Sequence, residues 1–436
     1  MMRRTFVLLA SSLALDACVG APYRTGPTGY GSGAYPQGGP TPYGTPYPNG
    51  TAYPNAGALP TAVPAGRGVA LLAPLTGPNA ALGQALVDAA KLALADAGGP
   101  PLDVRDTMGS SAAAAAAAQA AIAAGAGMII GPLTAAETSG AAGPAMAAGV
   151  PVLAFTNDPA QAHPGVWTLG ITPVQQVRRL VGAMNAQGKT RFAAALPQTD
   201  FGQAMSAALQ QALNAAGLPP ADIRMYPPGT SALNATIRDV SDYANRRGPL
   251  DAQIRAARNE HTAAGRRRAA ELVRHPIPPA PFDALLLADT GEALATIAAL
   301  LPYYDLDEPA VRVLGPALWA SPAARAGAAL NGAWYAAPDP AARGDFNQRY
   351  MAATGAAAPG LADFAYDAAS IARVLAQDGG FSVASLCRPE GFAGVDGVLA
   401  LQPDGTVRRG LALFEIERGG PVISEPAPQS LTAPGI

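Results

Sequence analysis

From Gly68 onward, short apolar runs alternate with longer stretches of helix-forming residues. Val69-Ala70-Leu71-Leu72-Ala73-Pro74-Leu75 has the length of a strand and ends in the glycine and proline turn Thr76-Gly77-Pro78-Asn79. Ala80 to Ala97 then reads as a helix, Leu102 to Asp106 as a strand and the alanine run Ala112 to Ala124 as a second helix. Met128 to Ile130 predicts a buried strand, Ala135 to Ala148 a helix and Val150 to Phe155 another strand. Alanine loses no side-chain entropy on entering a helix, so these runs are strong helix formers. Continuously apolar runs of a few residues fit strands covered on both faces. A second set follows Gly170-Ile171-Thr172-Pro173: helix Gln175 to Ala186, strand Arg191 to Leu196, helix Phe201 to Ala216 and strand Ile223 to Tyr226. Strand Phe282 to Ala288, a helix ending at Leu301, strands Val311 to Leu314 and Gly332 to Ala337, and helix Phe364 to Gln377 continue it. Gly397 to Leu401 and Leu411 to Ile416, around Gln402-Pro403-Asp404-Gly405, predict a closing β-hairpin. Strand and helix in alternation predict an α/β protein built on parallel sheets.

In such sheets a ligand crevice lies beyond the carboxyl ends of the strands. That places the candidate cleft in the loops Leu75 to Asn79, Gly131 to Ala135 and Phe155 to Pro159, and in Pro197 to Asp200 and Asp289 to Gly291 of the second set. The candidate lining residues are Thr76, Gly77, Thr134, Ala135, Thr156, Asn157, Asp158, Phe201, Asp289 and Thr290, with Tyr366 from the late helix.

The first 66 residues are of another kind. Met1-Met2-Arg3-Arg4-Thr5 precedes an apolar run from Phe6 to Leu15, too short to span a bilayer and suited to a secretory signal. Leu15, Ala17 and Cys18 resemble the lipobox of bacterial lipoproteins, with Asp16 as a departure; a soluble export signal cut near Ala17 or Ala21 is the other reading. The resemblance implies acylation of Cys18 and attachment to a membrane. Val19 lacks the acidic signal for inner-membrane retention in such lipoproteins, which implies the outer membrane. Residues 19–66 repeat Thr-Pro-Tyr and Tyr-Pro units rich in glycine, a composition that predicts a disordered tether reaching on the order of 100 Å. Residues 426–436 read as a flexible tail.

Composition narrows the chemistry. The formal net charge is −2, so nothing attracts nucleic acid, and aromatic residues are only 6% of the chain. Three histidines (His163, His261, His275) and two cysteines (Cys18, Cys387) are too few for a Cys/His metal site, and no cofactor motif is complete. No Gly-x-Ser-x-Gly elbow and no spaced carboxylate pair marks a catalytic residue. Cys387, unpartnered if Cys18 is lipidated, reads as a buried thiol. Arg246-Arg247 and the stretch Arg255 to Arg274 form a basic helical segment with few acids. Arg255, Arg258, Arg266, Arg267 and Arg268 are the candidate partner surface, for an acidic protein or an anionic wall polymer; a solvated helix is the plainer reading.

Four segments carry a resemblance: Val69 to Gly77, Ile129-Ile-Gly-Pro-Leu133, Gly149-Val-Pro-Val-Leu153 and Phe364-Ala-Tyr-Asp-Ala368. Together they resemble type I periplasmic binding proteins of the leucine-binding group, over about residues 68 to 425. With the lipobox and the tail Gly391-Phe-Ala-Gly-Val-Asp-Gly397, followed by Pro403-Asp-Gly-Thr406, the chain looks most like the penicillin-binding protein activator lipoproteins. The resemblance implies two doubly wound parallel-sheet lobes joined by hinge crossovers near Ile171 to Pro173, near Trp334 to Pro338 and before the last hairpin. It implies lobe 1 over about 67–171 and 338–390, and lobe 2 over about 172–337 and 391–425. It also implies a non-catalytic regulator that touches a peptidoglycan synthase; the alternative is a solute-binding protein of an ABC transporter for amino acids or a related small ligand. Where the amino-acid binders place hydroxyl residues for the ligand's carboxylate and amine, this sequence has Ala135 and Asp158. Thr134, Thr156, Asn157 and the backbone donors of Thr134 to Glu137 are what remains there, and Glu292 falls near the family's acid for the amine. Capture of a branched-chain amino acid is not expected.

Overall fold

A computed structural model describes residues 68–95 and 99–431. The expected signal segment, Cys18, the tether and residues 432–436 of the expected tail lie outside the described residues. The first sheet holds β1 (Gly68–Ala73), β2 (Leu102–Asp106), β3 (Ala126–Ile130), β4 (Val152–Ala154) and β5 (Val166–Thr168). Their order is β2-β1-β3-β4-β5, with every pair parallel. Side chains alternate across a strand, so β1 serves two cores. Val69, Leu71 and Ala73 pack with helices Ala80–Leu94 and Ala362–Gln377, while Ala70 and Leu72 meet the alanine-rich helices Ser111–Ala123 and Ala135–Ala147. The double burial explains why the strand reads as a continuous apolar run.

The second sheet contains β6 (Phe192–Pro197), β7 (Asp222–Tyr226), β8 (Ala284–Leu287), β9 (Arg312–Gly315) and β10 (Trp334–Ala337). Next along the chain come β11 (Leu399–Leu401) and β12 (Val407–Arg409), then β13 (Ala412–Glu417) and β14 (Gly420–Glu425). The order in the second sheet is β14-β13-β10-β9-β8-β6-β7, parallel except that β13 and β14 run antiparallel. Ala193 and Ala195 of β6 face one core, Ala194 and Leu196 the other. Both lobes are thus α/β layers with a sheet covered on two faces.

The expected pairing of Gly397 to Leu401 with Leu411 to Ile416 is corrected. Leu399–Leu401 pairs instead with Val407–Arg409, because the Gln402 N–H donates to the Thr406 carbonyl at 2.9 Å and Asp404 Oδ1 accepts from Thr406 N, also at 2.9 Å. The turn closes at once, and Gly405 supplies its positive φ of 88°. Leu411 onward is then free to enter the second lobe. Phe392, Val395, Leu399, Leu401 and Val407 pack in the first lobe's core, so residues 391–409 sit there rather than in the second lobe. Sequence periodicity also missed β5, β14 and the helices Leu233–Val240 and Gly344–Thr354. A three-residue strand such as β5 is too short to show a period.

Among the described residues the chain passes between the lobes at 169–173, 338–343 and 409–412. The β11–β12 hairpin lies at the seam. Trp167 Nε1 of β5 donates to the Gln402 carbonyl at 2.7 Å, and Gln175 Nε2 of helix Pro173–Ala186 donates to the Val407 carbonyl at 2.6 Å. Between β7 and β8, helices Tyr243–Asn259 and Ala263–Leu272 pair through Ile254, Ala257 and Ala269. Arg246 is buried at this pair's base and donates to the carbonyls of Pro278, Ser241 and Tyr304. Its role is structural.

Candidate functional site: the interlobe cleft

A cavity of about 800 Å³ lies between the lobes. Its first-lobe wall is made by the loops after β3 and β4, and Ile171, Gln176, Phe201 and Leu318 face it from the second lobe. Of the expected residues, Thr134, Ala135, Thr156, Asn157, Asp158 and Phe201 line it. Thr76, Gly77, Asp289, Thr290 and Tyr366 do not. Thr76 is exposed and donates its hydroxyl to Asp106 Oδ2 at 2.7 Å, with Gly77 exposed beside it. Asp289 is turned back into its own lobe by the Tyr226 hydroxyl, and its carbonyl accepts from Trp319 Nε1 at 2.9 Å, with Thr290 next to it. Tyr366 follows Phe364 by two residues, about 200° around the helix. Its ring lies 5.0 Å from Phe346 and its hydroxyl accepts from Arg349 at 2.6 Å, away from the cleft.

The start of helix Ala135–Ala147 is capped by an internal carboxylate. Glu137, fully buried, accepts from Thr134 N at 2.9 Å, from Thr134 Oγ1 at 2.6 Å and from the Thr107 hydroxyl. Thr134 Oγ1 accepts in turn from Glu137 N at 3.2 Å, completing a capping box. Of the donors of Thr134 to Glu137 expected for a ligand, Glu137 takes the first and Thr134 Oγ1 the last, which leaves the N–H groups of Ala135 and Ala136. Asp158 is likewise engaged, accepting from Ala160 N at 3.0 Å and Gln161 Nε2 at 3.2 Å. Gly131, in the loop that carries Thr134, has φ +80°, and a Cβ there would come 2.2 Å from the Leu72 carbonyl. Gly131→Ala should therefore destabilise the protein by about 2 kcal/mol or more, read from the urea midpoint, because both the left-handed backbone and the contact oppose a side chain.

The residues that sequence reasoning missed form the floor of the cleft. Arg343, Asp363 and Asp396 line the cavity, and behind them lie Asp367 and Arg409. Arg343 Nη2 lies 2.8 Å from Asp363 Oδ2, and Arg343 Nε is 4.0 Å from Asp396 Oδ1. Arg409 Nη1 is 3.8 Å from Asp367 Oδ2, and Asp367 Oδ1 accepts from Val395 N at 2.7 Å. All three aspartates are buried. Burial, and then the neighbouring charge of Asp396, push the Asp363 carboxyl up to about 8, against the pull of Arg343. Burial pushes Asp367 up to about 7, with Arg409 opposing. A partial signal existed in the sequence, since Asp363 and Asp367 stand four apart on an otherwise apolar helix face. Arg343 and Asp396 come from distant loops and carried none. Cys387 is half-buried rather than fully enclosed, and burial pushes its thiol up to about 11.

Comparison with known proteins fits this architecture. A model of the periplasmic binding protein family matches residues 68–421. The chain belongs to this family. Among solved structures, a putative branched-chain amino acid ABC transporter from Rhodospirillum rubrum is 22% identical with a TM-score of 0.61, covering 81% of this chain and 99% of that one. The C-domain of LpoA from Haemophilus influenzae, described as a regulator of PBP1A, is 21% identical with a TM-score of 0.56, covering 81% and 99%. At such identities the likeness concerns the fold. An uncharacterised protein of Rickettsia prowazekii is 28% identical over 178 residues, 41% of this chain and 48% of its own, so the match spans about half the length of that relative. The fold is that of type I periplasmic binding proteins, and among the described residues no helix of this family member is long and apolar enough to cross a membrane.

Proposed function

We propose that this periplasmic binding protein is a non-catalytic regulator, held to the outer membrane through Cys18, that acts on a peptidoglycan synthase by protein contact. The observation that carries this reading is the cleft wall. The wall presents Ala135 and Asp158 where the amino-acid binders place hydroxyl residues, a helix start capped by Glu137, and the carboxyl groups of Asp363 and Asp396. The one cation among the lining residues, Arg343, is committed to Asp363. An amino-acid carboxylate finds carboxyl groups there and no uncommitted cation. The LpoA domain, a regulator of PBP1A, has the same fold. For the contact surface the reading takes the helical pair Tyr243–Asn259 and Ala263–Leu272, whose Arg255, Arg258, Arg266, Arg267 and Arg268 are all exposed. Only Arg268 has an ion-pair partner among these five, Glu260 at 3.9 Å.

The experiment is capture of purified wall synthases on the immobilised protein. Retention of a synthase is expected, with at least a tenfold loss when the five arginines are changed to glutamate at unchanged Tm. The transport reading is favoured by the open cavity itself. It wins if no synthase is retained and a free amino acid raises Tm by several degrees.

A further inference from the structure

The floor of the cleft is one positive charge short. Among the described residues the ion pairs of Asp363, Asp367 and Asp396 run to Arg343 and Arg409, three carboxyl groups to two guanidinium groups. Asp396 is 2% exposed, lines the cavity, and its Oδ1 has no hydrogen-bond partner. The nearest cation, Arg343 Nε, is 4.0 Å away. An unpartnered carboxylate oxygen at a cavity wall is costly unless something neutralises it. The Asp363 carboxyl, pushed up by burial and by the neighbouring Asp396, holds a proton that relieves this crowding. We propose that the cleft takes a small organic cation, an ammonium group on an apolar body, whose charge is seated against Asp363 and Asp396 at the floor.

The rest of the cavity fits such a body. Leu133, Phe155, Ile171, Phe201, Leu361 and Phe364 supply an apolar lining. A hard metal cation, which needs six or more oxygen ligands, finds too few here. The charged groups around the pair are Arg343 at its edge, Asp367 on the same helix, Arg409 from β12 and Asp158 at the rim. With Arg343 drawn to Asp363, the Asp396 Oδ1 is the buried carboxylate oxygen that opens on the cleft with no hydrogen bond and no cation nearer than 4.0 Å. Binding is an exchange: the ammonium enters and one proton leaves to solvent. The inference does not depend on whether the outer surface meets a synthase.

Calorimetric titration of the protein with phenethylamine, and in parallel with 3-phenylpropionate, tests it. Phenethylamine is expected to bind, with heats that depend on the buffer's ionisation enthalpy in the sense of proton release. Its Kd should rise about tenfold for each pH unit below about 8, as protons compete at Asp363. 3-Phenylpropionate should not bind, and Asp396→Asn should weaken phenethylamine at least tenfold. Absence of phenethylamine binding, equal binding of the acid, or undiminished affinity in a folded Asp396→Asn protein overturns the proposal. The proton release is read on the unmutated protein, so failure of the variant to fold leaves a decisive measurement in place.

Discussion

Replacing Arg409 with methionine is expected to destabilise the protein by about 3–5 kcal/mol, the range for removing one member of a buried ion pair. The Arg409 side chain is fully buried; Nη2 donates to the Leu169 carbonyl at 2.9 Å, and the guanidinium carbon stands 5.7 Å from the centre of the Phe364 ring. Methionine fills much of the volume but leaves the Asp367 carboxyl with only the backbone N–H groups of Val395 and Asp396. It also leaves the Leu169 carbonyl without that donor at the first crossover. Asp367→Asn in the same background should restore more than half of the loss, because the neutral amide no longer needs the guanidinium. Urea denaturation of the two single variants and the double variant measures the coupling. A loss below about 1 kcal/mol for Arg409→Met would show that the cation's desolvation offsets its attraction to Asp367.

The second large effect is the dependence of stability on pH. Asp363 and Asp367 have folded pKa values of about 8 and about 7, both above the ordinary 3.8 of an unfolded aspartate. Between those limits the folded protein binds more protons than the unfolded chain, so the slope of unfolding free energy against pH is negative. Their contribution is complete below about pH 4 and is lost as pH rises toward 7 for Asp367 and 8 for Asp363. Each group changes stability by about 1.4 kcal/mol per pH unit in its window. Asp106 and Asp283 act oppositely. Hydrogen bonds and, for Asp283, Arg191 hold them below the usual carboxylate range, and they withdraw support only in strong acid. The expected profile therefore has its maximum near pH 5, with Tm falling by several degrees on going to pH 8. Asp363→Asn should flatten the neutral limb. A Tm that rises from pH 5 to pH 8 would contradict the placement of these carboxyls in a dry, under-neutralised cluster.

What the sequence disclosed and withheld follows from physics of different range. The strand and helix rhythm is local: β1, β2 and helix Ala135–Ala147 fall within a residue or two of their expected limits, because burial on both sheet faces and helix propensity act over neighbouring positions. The cleft residues Thr134, Thr156 and Asp158 were legible from strand-end topology alone. Side-chain direction was not. Asp289 points away from the cleft because Tyr226, 63 positions earlier, holds it. The charged floor was hidden for the same reason, since Arg343, Asp363 and Asp396 meet only after the chain has crossed between the lobes. The second strand of the hairpin is not legible because a tight Asp-Gly turn announces a pair of strands without saying how soon the second begins.

The small β11–β12 hairpin, bonded through Gln402 to the first lobe and through Val407 to the second, acts as the spine of a book. Any swing of one cover that keeps both bonds must pivot along that edge. The rim residues Asn157 and Leu318 then travel much farther than Trp167 and Gln175, so a probe pair at the rim registers opening that the spine itself scarcely feels.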